Sequence, residues 1–273
     1  MNSPFIYPGG KRRVAREVLC RFGHLATYIE PFAGSLSVLL SVDKIAPREI
    51  VNDIDLLLVN FWRALKMDYA GVLRYADYPM SELDVKLRSK WLDKQVVTTR
   101  EQLETNPDFY DEKAAGWWCW RQNLQVTARR GMRIAHKQGL ECVQDKKRYM
   151  AALASRLRSV AIQHRDWKKA LTDKVIYYDT PTGILLDPPY GYSTGRAEGL
   201  YAKDDGKVAV AVRKWAIEHG NDSKLRIALC GWEGEHKMPK DWAVYHWKAP
   251  SSKGGAKEVI WFSPTCACFR VII

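Results

Sequence analysis

Nowhere in this 273-residue chain do apolar residues run for the roughly 18 positions that a membrane-crossing helix needs. The opening stretch MNSPFIYPGGKRR lacks an apolar signal core, so the expectation is a soluble chain that is not secreted. Cysteine is scarce. Six residues with no CxxC pair are too few for a disulfide scaffold and suit a reducing cytoplasm. Cys266 and Cys268 form a CxC with no second Cys/His pair nearby, and they read as thiols, with no metal expected. There is no internal repeat and no low-complexity tract. Acidic residues are outnumbered, 31 Asp+Glu against 43 Lys+Arg, which leaves a formal net charge of +12. That excess favours polyanions, and counterion release from phosphates would make such binding strongly salt-dependent. Charge alone does not separate a nucleic-acid binder from a merely basic protein.

A hydrophobic fraction of 47% with 27% charged residues excludes disorder as the main state. The apolar positions Val14, Val18, Leu19 and Phe22 recur at helical spacing after a Pro8-Gly9-Gly10 turn. Thr27–Glu30 then reads as a strand, 31–35 as a tight loop and Leu36–Val42 as a helix. Glu49–Asp53 is a second strand before a helix over Leu56–Leu65. Two βα units in succession predict an α/β fold with a doubly wound, mostly parallel sheet. From 68 to 158 the strand signal disappears, and helices are expected over Ser81–Trp91, Tyr110–Gln125 and Asp145–Leu157. Strands return at Ser159–Gln163, Val175–Tyr178, Gly183–Asp187, Leu225–Cys230, Trp242–Trp247 and Glu258–Phe262, with a helix near Val208–His219. The expected organisation is a core domain of residues 1–67 and 159–273, split by a helical insertion over 68–158.

Four segments carry chemistry. In Leu185-Leu186-Asp187-Pro188-Pro189-Tyr190 an apolar strand ends in an acid, two prolines and an aromatic. The prolines fix two φ angles, so Asp187, the Pro188 carbonyl and the Tyr190 ring are held stiffly at the strand's C-terminal edge, where open α/β sheets bind ligands. A carboxylate oxygen and a carbonyl can accept both N–H groups of an exocyclic amine while a ring stacks on the base. Glu30-Pro31-Phe32-Ala33-Gly34 is a strand-to-helix loop in which Gly34 permits close ligand approach. It is no dinucleotide fingerprint, and Gly9-Gly10-Lys11 is no Walker A loop. Asp53, at the tip of the second strand, is placed to grip ribose hydroxyls or to cap the helix that follows. The fourth segment is Tyr7-Pro8-Gly9-Gly10-Lys11.

In this order the four segments resemble the D12-class, Dam-like DNA adenine-N6 methyltransferases. The aromatic-GGK motif is matched by Tyr7–Lys11, the E-x-F-x-G motif by Glu30–Gly34, the motif II acid by Asp53 and DPPY by Asp187–Tyr190. Ser251–Gly255, ahead of a strand, looks like the family's late Gly-Gly loop. One departure stands out. Where the family often has a second glycine, two places after Gly34, this chain has Leu36.

The resemblance implies the S-adenosylmethionine-dependent methyltransferase fold, that cofactor, and double-stranded DNA as partner, with neither membrane nor protein partner implied. It also implies the cytoplasm of a bacterial or phage-infected cell. Tyr7, Gly10 and Lys11 would touch the cofactor, with Glu30, Pro31, Phe32 and Gly34 beneath it and Asp53 on its ribose. Asp166 is similar to the family's acid near the cofactor adenine, although a helix N-cap is the more ordinary role for it. A flipped adenine would meet Asp187, Pro188, Pro189 and Tyr190, with transfer to N6. Two other readings stay open: transfer to RNA adenine or cytosine N4, and an idle nucleic-acid-binding protein. In the insertion, Trp117–Trp120 suits either a helical core or a stacking surface. Gln122 and Asn123 have side chains able to read base edges, and Arg129 and Arg130 are suited to phosphates. Glu233, Glu235 and His236 are expected in a solvated turn.

Overall fold

The computed structural model describes residues 1–7, 9–79, 81–106, 108–127, 131–134, 139–189, 207–247 and 257–266. Along the chain come α1 (Ala15–Phe22), β1 (Thr27–Glu30), β2 (Arg48–Asp53), α2 (Leu56–Met67), α3 (Tyr69–Ala76), α4 (Glu82–Thr105) and α5 (Glu112–Gln122). A hairpin of β3 (Leu124–Thr127) and β4 (Gly131–Ile134) precedes α6 (Lys146–Leu157), β5 (Val160–His164), α7 (Trp167–Ala170) and α8 (Asp173–Ile176). The last elements are β6 (Thr182–Leu186), α9 (Lys207–His219), β7 (Leu225–Trp232), β8 (Ala243–Trp247) and β9 (Glu258–Phe262). Among the described residues no helix is long and apolar enough to cross a membrane.

Seven strands form one sheet in the order β5-β2-β1-β6-β7-β9-β8. The run β2-β1-β6-β7 is parallel, and β9 pairs antiparallel with β7 and with β8. The expected α/β architecture with a mostly parallel sheet is therefore present. Every residue of β1 and β6 is buried, as strands covered on both faces must be, and their apolar residues do not alternate with exposed polar ones. Strand order reverses at β1, which has β2 on one side and β6 on the other. Because the three strands are parallel, their C-terminal ends share one edge. That edge carries Glu30, Asp53 and, one residue past β6, Asp187.

The chain packs as two units. The sheet unit comprises Pro8–Ile54 and Arg165–Ile273, with a core that includes Ile29, Ile184, Leu186, Ile227, Val259 and Trp261. The helical unit comprises Met1–Tyr7 and Asp55–His164. Its boundaries lie outside the expected 68 and 158 because the N-terminal residues and α2 pack within it. Phe5 is the reason at the N-terminus: its ring lies 4.8 Å from Trp118, 5.2 Å from Phe61 and 5.3 Å from Trp62. The Pro4 carbonyl accepts from Asn123 Nδ2 at 2.9 Å and from the Leu140 amide at 2.8 Å. Asn60 and the Asp111 backbone exchange two hydrogen bonds, of 2.8 and 3.0 Å, tying α2 to the start of α5.

Four sequence expectations fail locally. Leu36–Val42 forms only a single 3-10 turn, Leu39–Ser41, because Leu36 takes φ +52° and the Glu30 carboxylate captures the Leu39 amide. Val175–Tyr178 is not a strand. The Thr172 carbonyl accepts from Val175 and Ile176, so its β-branched residues close the short helix α8. The β3–β4 hairpin occupies ground expected to lack strands, and α5 ends at Gln122 rather than at 125.

Candidate active site

Lys11 is the centre of the sheet unit's polar site. Gly9 takes φ +78°, and the Lys11 amide donates to Ser37 Oγ at 2.8 Å, which fixes the N-terminal loop to the loop after β1. The side chain is then only 3% exposed. Its Nζ lies 2.9 Å from Asp187 Oδ2, 3.4 Å from Glu258 Oε2 and 2.7 Å from the Gly9 carbonyl oxygen. Burial alone would lower the ammonium pKa, but the neighbouring Asp187 and Glu258 carboxylates override it and hold Lys11 charged. Asp187 keeps 24% of its side chain exposed, whereas the Glu258 side chain is 2% exposed. Pro188 is buried and Pro189 half-buried, and Tyr190 lies outside the described residues.

Glu30 faces inward. Its Oε1 accepts from Tyr28 Oη at 2.8 Å and from the Leu39 amide at 3.1 Å, bracing the loop between them. Burial pushes its carboxyl up to about 8; the hydrogen bonds from Tyr28 and Leu39 oppose that rise, and the charge of Asp187 adds to it. Relative to the ordinary value of 4.5, the folded chain then binds more protons than the unfolded one as pH climbs from there to about 8. Stability must fall across that window, by at most about 1.4 kcal/mol per pH unit. Glu30→Gln keeps an oxygen acceptor and removes the titration. Its melting temperature is expected to gain steadily on the wild type between pH 5 and pH 8. Parallel melting curves at all pH values would refute the assignment.

At the tip of β2 two polar residues divide the work. Asp53 Oδ2 accepts from the Gly34 amide at 3.0 Å, and Gly34 itself holds φ +46°. Asp53 does not cap α2. Asp55 does, through Oδ1 to the amides of Leu57 and Leu58. The buried Asn52 donates from Nδ2 to the carbonyls of Pro31 and Arg165 and accepts from the Arg165 amide at Oδ1, each at 3.0 Å. Its carbonyl accepts from Ala33 at 2.8 Å. Sequence reasoning passed over Asn52 in favour of Asp53, although an amide side chain at a buried strand end must find such partners. Asp166 Oδ1 caps α7 through the Lys168 amide at 2.9 Å, and Phe32 packs 6.2 Å from the Trp167 ring.

The remaining sequence-selected residues are scattered. Tyr7 belongs to the helical unit, 6.1 Å from the Phe5 ring, and Gly10 is exposed. Asn123, expected to read bases, is 3% exposed and spends its amide on Pro4, so it offers no edge to DNA in this structure. Gln122 is the last residue of α5 and half-buried. Arg129, Arg130 and the Ser251–Gly255 loop lie outside the described residues. The tryptophan run is mostly core: Trp118 is 1% exposed, and Trp120 is buried with Nε1 donating to the Tyr78 carbonyl at 2.8 Å. The Arg88 guanidinium packs on the rings of Tyr78, Trp120 and Trp117 at 4.2, 4.7 and 5.1 Å, a cation–π arrangement that ties α4 to α5. His236 is buried rather than solvated. It lies 5.2 Å from Trp261, and burial, assisted by Arg213, lowers its pKa to about 4. Glu235 Oε2 accepts the Trp232 amide, and Glu233 sits 3.2 Å from His246.

The sequence did not single out Glu258. Its signal was a lone acid opening an apolar strand whose every other residue is buried, a position where a carboxylate needs a cation.

The site thus joins a lysine from the first dozen residues, the acid of Asp187-Pro188-Pro189 at the end of β6, and a glutamate of β9, on the edge where the strand order reverses. Comparison with curated proteins gives no match. The family model for D12 class N6 adenine-specific DNA methyltransferases matches residues 7–209, a span that takes in Lys11, Glu30–Gly34, Asp53 and Asp187. The chain belongs to that family of DNA methyltransferases.

Proposed function

We propose that this chain methylates N6 of adenine in double-stranded DNA, using a base swung out of the helix into the edge at Asp187. The observation that carries the reading is the meeting of Lys11 with Asp187, which brings two motifs far apart in sequence to one half-open carboxylate. S-adenosylmethionine, when bound, supplies an electrophilic methyl group on a sulfonium. Among the described residues the donor set suits such a cation: Asp187 and Glu258 meet Lys11, and Asp53 holds the Gly34 amide at a strand tip on the same edge of the sheet. Asp53 and Gly34 would hold the ribose side, and Glu30 and Asn52 shape the loop carrying Pro31 and Phe32 without needing to touch the ligand.

Asp187 and the Pro188 carbonyl would accept the two N–H groups of the adenine N6. Those hydrogen bonds favour a tetrahedral nitrogen and free its lone pair from the ring. N6 would accept the methyl group, leaving the electron pair of the broken bond on sulfur, and would shed one proton to Asp187 or to water. Extrusion of the base follows from reach, since a stacked adenine cannot bring N6 to a strand end. The helical unit, with its basic run and Arg129, Arg130 and Gln122, is the proposed target-recognition region.

Incubation with labelled S-adenosylmethionine and unmethylated DNA, followed by sequencing that detects modified bases, tests the reading. Label in cytosine or in RNA alone would replace it. A second test concerns Asp53. Asp53→Ala is expected to weaken cofactor binding by about 1.5–3 kcal/mol, the scale of a charged hydrogen bond, with DNA affinity unchanged. Calorimetric titration of the variant that matches the wild type would reduce Asp53 to a brace for Gly34.

A further inference from the structure

We propose that Asn52 is a positioning residue for the cofactor: its buried carboxamide ties the loop after β1 to the segment after β5, and so fixes the strand-tip loops that would receive the adenosine half of S-adenosylmethionine. The inference rests on the S-adenosylmethionine reading above. It goes beyond that reading by assigning affinity for one half of the ligand to a residue that does not touch it.

Asn52 is 1% exposed, and three main-chain groups meet its side chain. Nδ2 donates to the carbonyls of Pro31 and Arg165, and Oδ1 accepts from the Arg165 amide, each at 3.0 Å. Pro31 is the first residue past β1 and Arg165 the first past β5, so both partners lie just beyond the C-terminal end of a strand. Two donors and one acceptor at this reach are what a carboxamide supplies. A carboxylate lacks the donors, a hydroxyl has one, and an apolar side chain has none. The partners also settle which way the amide points, since the flipped form would set Oδ1 against two carbonyl oxygens. A fourth bond comes from the Asn52 main chain, whose carbonyl accepts from the Ala33 amide at 2.8 Å. The same two loops meet again where Phe32 packs 6.2 Å from the Trp167 ring. Next along the chain, Asp53 Oδ2 accepts from the Gly34 amide at 3.0 Å. Asn52 thus spaces 31–34 from 165–167 while its neighbour holds the glycine. A binding loop held from behind in this way keeps its geometry to within about half an ångström, and affinity depends on that. Transfer itself belongs to Asp187 at the end of β6, and β1 lies between β2 and β6. Loss of Asn52 is therefore a loss of binding rather than of chemistry.

The test uses two ligands that share the adenosine half: S-adenosylhomocysteine, and methylthioadenosine, which lacks the amino-acid end. Their binding to wild type, Asn52→Ala and Asn52→Asp is measured calorimetrically in the full chain, beside kcat and KM on DNA at saturating S-adenosylmethionine. Both variants should bind both ligands roughly 10- to 100-fold more weakly, and by the same factor, because the shared half carries the loss. Their kcat and their KM for DNA should stay within about threefold of wild type. Asn52→Asp is the discriminating variant. It keeps the shape and the acceptor for Arg165 but turns an oxygen toward two carbonyls, so it should lose at least as much as Asn52→Ala. An Asn52→Asp chain that binds like wild type would overturn the inference, as would a loss confined to S-adenosylhomocysteine or a kcat that falls as far as the affinity. Should neither variant fold, hydrogen exchange of the wild type decides. The Ala33 and Arg165 amides should then gain at least roughly tenfold protection when S-adenosylhomocysteine binds, and unchanged exchange at either would overturn the inference. A wild type that binds neither ligand would instead refute the S-adenosylmethionine reading itself.

Discussion

Asp187→Ala should bind cofactor almost as well as wild type and transfer methyl groups at least roughly 100-fold more slowly. Asp187 is the half-exposed member of its ion pair, so truncation removes the group that faces the open edge rather than one packed in the core. The N6 amine loses its charged acceptor, and the rising positive charge on nitrogen loses its nearest counter-charge. Lys11 keeps Glu258 as a partner, so the fold should survive. Single-turnover rates with saturating DNA separate chemistry from binding. An Asp187→Ala enzyme of ordinary rate would move the catalytic centre elsewhere. Asp187→Asn is a stricter control, because it keeps shape and one acceptor while removing the charge.

The largest effect on stability is expected from Lys11. Lys11→Met takes away the ammonium that the buried Glu258 and the half-buried Asp187 share, and breaking a buried ion pair by removing one partner costs about 3–5 kcal/mol. Denaturant melts should show that loss. Glu258→Gln added to Lys11→Met should recover part of it, because the second change removes the stranded charge, and the non-additivity measures the pair. A Lys11→Met chain as stable as wild type would mean that water reaches the site and solvates both acids.

Much of this was legible beforehand, for definite reasons. β1, β9 and the ends of β2 and β6 were readable because each is a short run rich in β-branched or aromatic residues bounded by polar or turn residues. Three of the four motifs were readable because each ends such a strand, whereas Tyr7–Lys11, ahead of α1, carried only its residue pattern. Pairings between distant segments were not. Nothing in the spacing of Lys11 and Glu258 says that they meet, since that follows from β9 lying between β7 and β8. Leu36 was noticed as a departure from glycine, and the structure explains why glycine suits the place: φ there is +52°, which costs an L-residue roughly 1–2 kcal/mol. Complete burial of the leucine side chain offsets that strain. Val175–Ile176 misled because a short β-branched run has no period to distinguish strand from helix. Asn123 misled because a base-reading side chain and a backbone-tying one look alike in sequence.

The placing of β9 also bears on how the protein is made. The ribosome delivers Lys11 first, Asp187 much later and Glu258 later still. β8 leaves the ribosome before β9 yet reaches the sheet only through β9. A nascent chain can dock Lys11 on Ser37 early, but its pairing with Glu258 waits until β9 has been made. Chains released early would therefore carry the recognisable motifs and lack the finished charge arrangement, so a truncated product should be inert on DNA.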